Sequence, residues 1–240
     1  MKNAAPFILP IFRSILFIFA GLLLVTITGD SLEDASRWWS IVCTISNIIT
    51  IIVLIAVFKS EGTTYREIIG YRKEKGSSKS ALKIIALMIL LGIGGMYGFG
   101  FLIYGYIPLV MIQPIPVWLA AVNLILLPVT TVFAELPLYF GYSLNRIDKL
   151  TGSKLLAIAY PMFFYALQHS FIPLLFEWEH ILFRFLSFLP LMLVLGALYY
   201  KKRNLTPFMI GHGILDLSTG IQILVTSLSP ALFEAIRTMQ

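Results

Sequence analysis

The chain has 240 residues, 58% of them hydrophobic and 12% charged, with a net charge of +6 and a mean hydropathy of +0.88. Water-soluble domains carry about 25% charged residues, so half of the usual solvating charge is missing and a soluble globule is excluded. The Lys and Arg residues sit in short loops between apolar runs, the positive-inside pattern of a membrane protein, and argue against nucleic-acid binding.

A spanning helix needs about 20 apolar residues. Seven stretches qualify, in chain order 7–29, 38–58, 81–107, 116–144, 154–176, 181–200 and 206–228. The expected fold class is all-α, a polytopic transmembrane helical bundle of about seven spans. The residues after 228 would add an eighth span or an interfacial helix. The first run is too long for a signal-peptide core and lacks a small-residue cleavage site, so a retained helix is expected. Cys43 is the only cysteine, which excludes an intrachain disulfide. Residues 1–240 read as a single membrane domain.

The loops alternate in charge. Residues 29–37 (GDSLEDASR) are acidic with one Arg, whereas 59–80 hold Lys59, Arg66, Arg72, Lys73, Lys75 and Lys79. Residues 108–115 are uncharged, 145–153 carry Arg146 and Lys149, 177–180 (EWEH) are acidic, and 201–205 open with Lys201, Lys202 and Arg203. Basic loops stay in the cytoplasm, so a multi-pass protein of the cell membrane with a cytoplasmic N-terminus is expected. Within 59–80, YREIIGYRKEK reads as a short basic amphipathic piece on the membrane surface, or more simply as a solvated loop. In the third span, Gly94 and Gly98 form a small-xxx-small face suited to close helix packing.

Ionisable groups in hydrocarbon are costly and mark function. Arg13, Lys83 and Arg184 lie near helix ends and are expected to snorkel to water, and His180 reads as a solvated loop residue. Glu135, His169, His212 and Asp216 remain. At about 1.5 Å per helical residue, Glu135 is about 16 Å from Arg146, His169 about 22 Å from Lys154, and His212 and Asp216 about 13 and 20 Å from Arg203. Three helices thus bring their deep polar groups to one layer, on the cytoplasmic side of the midplane. His212 and Asp216 share a helix face, as do Tyr165 with His169 and Glu135 with Tyr139. Such a set could simply hold helices together, but a carboxylate with two imidazoles is also the composition of a water-activating site. Unless a charge pairs with it, a carboxylate buried in this setting suits general-base work near pH 7. Glu/His/His is also a possible divalent-metal (zinc) ligand set, although His-Glu-x-x-His is absent. A cation-coupled transporter is a further alternative, but no inverted repeat is visible.

Three motifs in order carry a family resemblance: Glu135-Leu-Pro-Leu-Tyr-Phe140, Tyr165-Ala-Leu-Gln-His169 and His212-Gly-Ile-Leu-Asp216. They resemble the CPBP intramembrane proteases, which include the type II CAAX prenyl endopeptidases and the bacteriocin-processing (Abi-like) proteins. That family shows Glu-Glu-x-x-x-Arg, Phe-x-x-x-His and His-x-x-x-Asn/Asp. The resemblance covers about 116–228 and implies a catalytic core there. It also implies Glu135 as the base that activates water, His169 as its partner, and His212 with Asp216 as stabilisers of the oxyanion. It implies an endopeptidase acting on a membrane-associated peptide or protein substrate near the cytoplasmic leaflet, with membrane lipid as surroundings and no nucleic-acid partner. A metal has been proposed for the family, though the chemistry can be written without one. The second Glu and the Arg of the first motif are replaced by Leu136 and Phe140. Losing both members of an ion pair leaves no orphan charge, and a catalytically silent scaffold or regulator on the same helices is the alternative reading.

Overall fold

The computed structural model describes residues 3–70 and 78–239. Arg72, Lys73 and Lys75 of the basic 59–80 loop lie outside the described residues. Among the described residues the regular secondary structure is all helical. The principal helices are α1 (Ala5–Thr28), α2 (Trp39–Ser60), α3 (Ser78–Tyr104), α4 (Val117–Thr151), α5 (Lys154–His169), α6 (Trp178–Lys202), α7 (Thr206–Leu228) and α8 (Pro230–Arg237). Six of them, all but α5 and α8, are long and apolar enough to cross a membrane. At about 1.5 Å per residue, the 8-residue α8 is too short for an eighth span.

The bundle is apolar outside and polar within, the reverse of a soluble domain. Leu102 and Leu155 are 75% and 78% exposed, while Arg13, Asn47 and Gln168 are wholly buried. This fits lipid around the outside and hydrogen-bonded polar groups between helices. Helix α7 packs on α4, α5 and α3 pack on α6, and α2 packs on α4. Gly220 of α7 sits over Leu124, one turn before Pro128 of α4, and a Cβ there would lie 3.4 Å from the Leu124 Cα.

The loops sort to two ends. At one end Glu61 pairs with Arg146, and Arg203 Nη2 bonds Asp148 Oδ2 at 2.7 Å, which brings the basic loops together. At the other end Trp39 Nε1 donates to the Met111 carbonyl at 3.2 Å. There too, Gln113 Nε2 reaches Ser36 Oγ at 2.9 Å and Ile115 N reaches Ser227 Oγ at 3.0 Å.

Two proline effects shape the interior. Pro137 has no N–H, so the Phe133 carbonyl, four residues earlier, loses its helical partner, and the Tyr65 hydroxyl takes its place. From Pro137 to Leu144 the helix widens into a π-helical stretch whose residues are all buried. The second proline, Pro173, has no N–H for the carbonyl of His169. Helix α5 therefore ends at His169, and that carbonyl accepts from Ile172 N at 3.1 Å and Arg184 Nε at 3.3 Å. The span expected over 154–176 is thus a 16-residue helix that stops inside the bundle.

Other expectations also change. Nothing lies within 4 Å of a Cβ at Gly94 or Gly98, so that face is open; Gly92 and Gly95, against Leu215 and Ser187, make the close contacts. The Tyr65–Ile69 helix is not a free solvated loop. It is held by a Thr64/Glu67 capping box and packs on the π-helical stretch through Gly141 and Ile68. A backbone N–H bond from Thr64 holds the exposed Glu67 carboxyl below the usual carboxylate range. His180 is buried in the first turn of α6, its Nε2 3.2 Å from the Pro173 carbonyl, and is not a solvated loop residue.

Candidate functional site

Glu135 precedes the widened part of α4 by two residues, and His212 and Asp216 lie one turn apart on α7, so the packing of α7 on α4 sets them face to face. His212 Nε2 is 3.2 Å from Glu135 Oε2, and His212 Nδ1 is 3.0 Å from Asp216 Oδ2. His169, the last residue of α5, stays apart from this chain. Its Nδ1 lies 2.7 Å from the Tyr165 carbonyl, and its ring stacks on Phe188 with centroids 3.8 Å apart. It meets the others across a shared cavity. A carbonyl only accepts, so Nδ1 is the protonated nitrogen and Nε2 carries the lone pair.

The expectation of a snorkelling Arg13 is overturned, and the carboxylate is paired with its charge. Arg13 is 0% exposed. Its Nη2 donates to Glu135 Oε1 at 2.7 Å and to Asn47 Oδ1 at 2.5 Å, its Nη1 to Thr50 Oγ1 at 2.7 Å, and its Nε to Gln168 Oε1 at 2.7 Å. Gln168 Nε2 donates in turn to Glu135 Oε1 at 2.7 Å, and the Tyr139 hydroxyl to Gln168 Oε1 at 2.8 Å. A guanidinium this deep is tolerable only because a carboxylate and neutral acceptors meet it. Glu135 therefore stands ionised, with one oxygen fully engaged. Its other oxygen, Oε2, has no aligned hydrogen-bond donor; His212 Nε2 lies 3.2 Å from it and the buried Tyr165 hydroxyl lies beside it, also without an aligned partner.

Tyr165, His169, His212 and Asp216 line a cavity of about 220 Å³. The cavity runs past Met96 and Arg184 to the Ile107–Ile112 segment, at the end away from the basic loops. Arg184, also expected to snorkel, is 2% exposed and forms part of that wall. A zinc ion does not fit the Glu/His/His set. Arg13 and Gln168 occupy Glu135 Oε1, both nitrogens of His212 face carboxylates, and among the described residues no group of three His, Cys, Asp or Glu has the spacing to hold a metal.

Sequence reasoning missed Arg13, Gln168, Asn47 and Thr50. Leu136 and Phe140 are fully buried, and Phe140 packs at 5.4–5.9 Å against Tyr165, Tyr199 and Phe208.

These are the features of a polytopic helical membrane protein with a buried carboxylate–imidazole site. Residues 116–218, which hold Glu135, His169, His212 and Asp216, match the family model described as type II CAAX prenyl endopeptidase Rce1-like, the group that the three motifs resemble. That match supports membrane-embedded protease chemistry at the level of the family. No curated protein and no solved structure matches the chain.

Proposed function

We propose that the chain is an intramembrane endopeptidase that hydrolyses a peptide bond of a membrane-associated substrate, with water activated by Glu135. The observation that carries this reading is the buried Oε2 of Glu135, which has no aligned hydrogen bond and only His212 Nε2 at 3.2 Å, beside the Tyr165 hydroxyl that lines the cavity. Buried polar atoms are rarely left without partners, and a water between them would satisfy both. Arg13 holds Oε1, and once His212 Nε2–H turns away from Oε2 that oxygen accepts a proton from the water as the water oxygen attacks the peptide carbonyl. The proton then passes to the leaving amine. His169 Nε2 is a second acceptor to hold the water. His212, with a carboxylate facing each ring nitrogen, carries a proton on both, and Asp216 orients it so that Nε2–H can turn to the developing oxyanion.

The test is Glu135→Gln, compared with wild type at equal abundance in the membrane by mass-spectrometric detection of cleaved membrane peptides. General-base loss typically lowers rate by about 10²–10⁴-fold. An unchanged set of fragments at unchanged rates would overturn the reading. A non-catalytic scaffold is the second reading, favoured by the way Arg13 ties α1, α2, α4 and α5 together. On that reading Glu135→Gln costs stability and alters no cleavage.

A further inference from the structure

The mechanism above leaves one buried charge unused. Arg184 of α6 has three kinds of neighbour: its Nε lies 3.3 Å from the His169 carbonyl, its Nη1 3.0 Å from Met96 Sδ, and its guanidinium carbon 5.0 Å from the centre of the Phe188 ring. Sulfur is a weak acceptor and a guanidinium has five N–H donors, so most of its hydrogen-bonding capacity is unspent. Nη2 makes no hydrogen bond among the described residues. No carboxylate there comes within ion-pair distance of Arg184, whereas Arg13, Arg146 and Arg203 each meet one. An uncompensated cation within a membrane bundle is costly. Its side chain is 98% buried, its exposure being 2%, and it lines the same cavity as His169 and His212.

We propose that Arg184 is the docking point for a carboxylate of the peptide substrate, which its planar fork would take in a two-point hydrogen bond. The identity of the ligand as a substrate rests on the protease reading; the anion site itself does not. The cavity favours a peptide carboxylate over a lipid phosphate. At about 220 Å³ it falls below the roughly 300–1,000 Å³ of ordinary ligand pockets, room for a short stretch of chain but not for a two-chain phospholipid. Because Arg184 bonds the backbone of His169, a carboxylate held there lies next to the imidazole proposed to hold the attacking water. The anchor and the reacting bond thus share one wall.

The experiment uses the full chain in lipid nanodiscs, with thermal unfolding read at increasing concentrations of octanoate, octanamide or octyl phosphate. Octanoate should raise the midpoint saturably and octanamide, its neutral counterpart, should not. In Arg184→Gln the apparent affinity for octanoate should fall roughly 10–100-fold, the loss expected for a charged hydrogen-bonded contact. Arg184→Lys, which keeps the charge but not the fork, should fall in between. Glu135→Gln should keep the octanoate response, whatever it does to cleavage, so failure of the protease reading and failure of this site are separately visible. The proposal is overturned by the absence of a saturable octanoate effect or by its survival in Arg184→Gln. Tighter binding of octyl phosphate than of octanoate also overturns it, and would point to a lipid headgroup site.

Discussion

Replacing Arg13 by Met tests the buried network directly, because Met keeps the length and apolar stem while removing every donor. Arg13 is wholly buried and gives bonds of 2.5–2.7 Å to four side chains on three other helices. Without it Glu135 Oε1 loses its guanidinium, and the carboxylate is left with only the His212 imidazole, 3.2 Å from Oε2. Breaking a buried pair from one side costs about 3–5 kcal/mol, more than the pair contributes, because the remaining charge is stranded. For a chain of this size about 2–4 °C accompanies each kcal/mol, so the midpoint should fall by roughly 6–20 °C. The assay is thermal unfolding in nanodiscs at one fixed scan rate, since membrane-protein melts are often irreversible. Adding Glu135→Gln to Arg13→Met removes the stranded charge, and the double variant should be more stable than the sum of the single losses by about 1–3 kcal/mol. Additive losses, or a loss below about 1 kcal/mol for Arg13→Met, would refute the view that the pair is one electrostatic unit.

Gly141→Ala should cost about 1–3 kcal/mol in the same melt, because its Cβ would lie 2.8 Å from the Ile68 carbonyl oxygen and 2.9 Å from Ile68 Cγ2. Gly98→Ala, with nothing within 4 Å, should be neutral or stabilising by up to about 1 kcal/mol from helix propensity, and equal losses at the two glycines would contradict the packing described. Topology reporters after Lys149 and Lys202 should both read cytoplasmic, and one within 29–37 external; a cytoplasmic signal from 29–37 would overturn the orientation.

Much of the bundle was legible because span length and apolar content are local properties. Six of the seven apolar runs correspond to full-length helices. The exception, 154–176, carries its own explanation. Apolar content continues past His169, but Pro173 cannot donate to the His169 carbonyl, so hydrophobicity overstated the helix where backbone chemistry ended it. The depth count placed Glu135 and His212 in one layer, and they lie 3.2 Å apart. It failed for Arg13 and Arg184, because nearness to a helix end says nothing about which way a long side chain turns. The residues that draw Arg13 inward lie 34 to 155 positions away, beyond any local pattern. A signal was present in Asn47 and Thr50, polar and three residues apart on one face of an apolar helix, an arrangement that calls for a partner across the interface.

The replacement of the first motif's arginine by Phe140 takes on a different meaning once Arg13 is placed. Loss of the motif's Glu–Arg pair removes a cation close in sequence to Glu135, and the carboxylate that remains still needs one in this setting. It comes from α1, with Asn47 and Thr50 of α2 fixing the guanidinium from the far side. None of these residues lies within 116–218, the segment that matches the family model. The matched segment therefore supplies the carboxylate, the imidazoles and Gln168, whereas the helices before it supply the guanidinium that completes the pairing of a buried, ionised Glu135. An intact motif region alone would leave that carboxylate with His212 but without its guanidinium, so α1 and α2 belong to the site as much as α4 and α7 do.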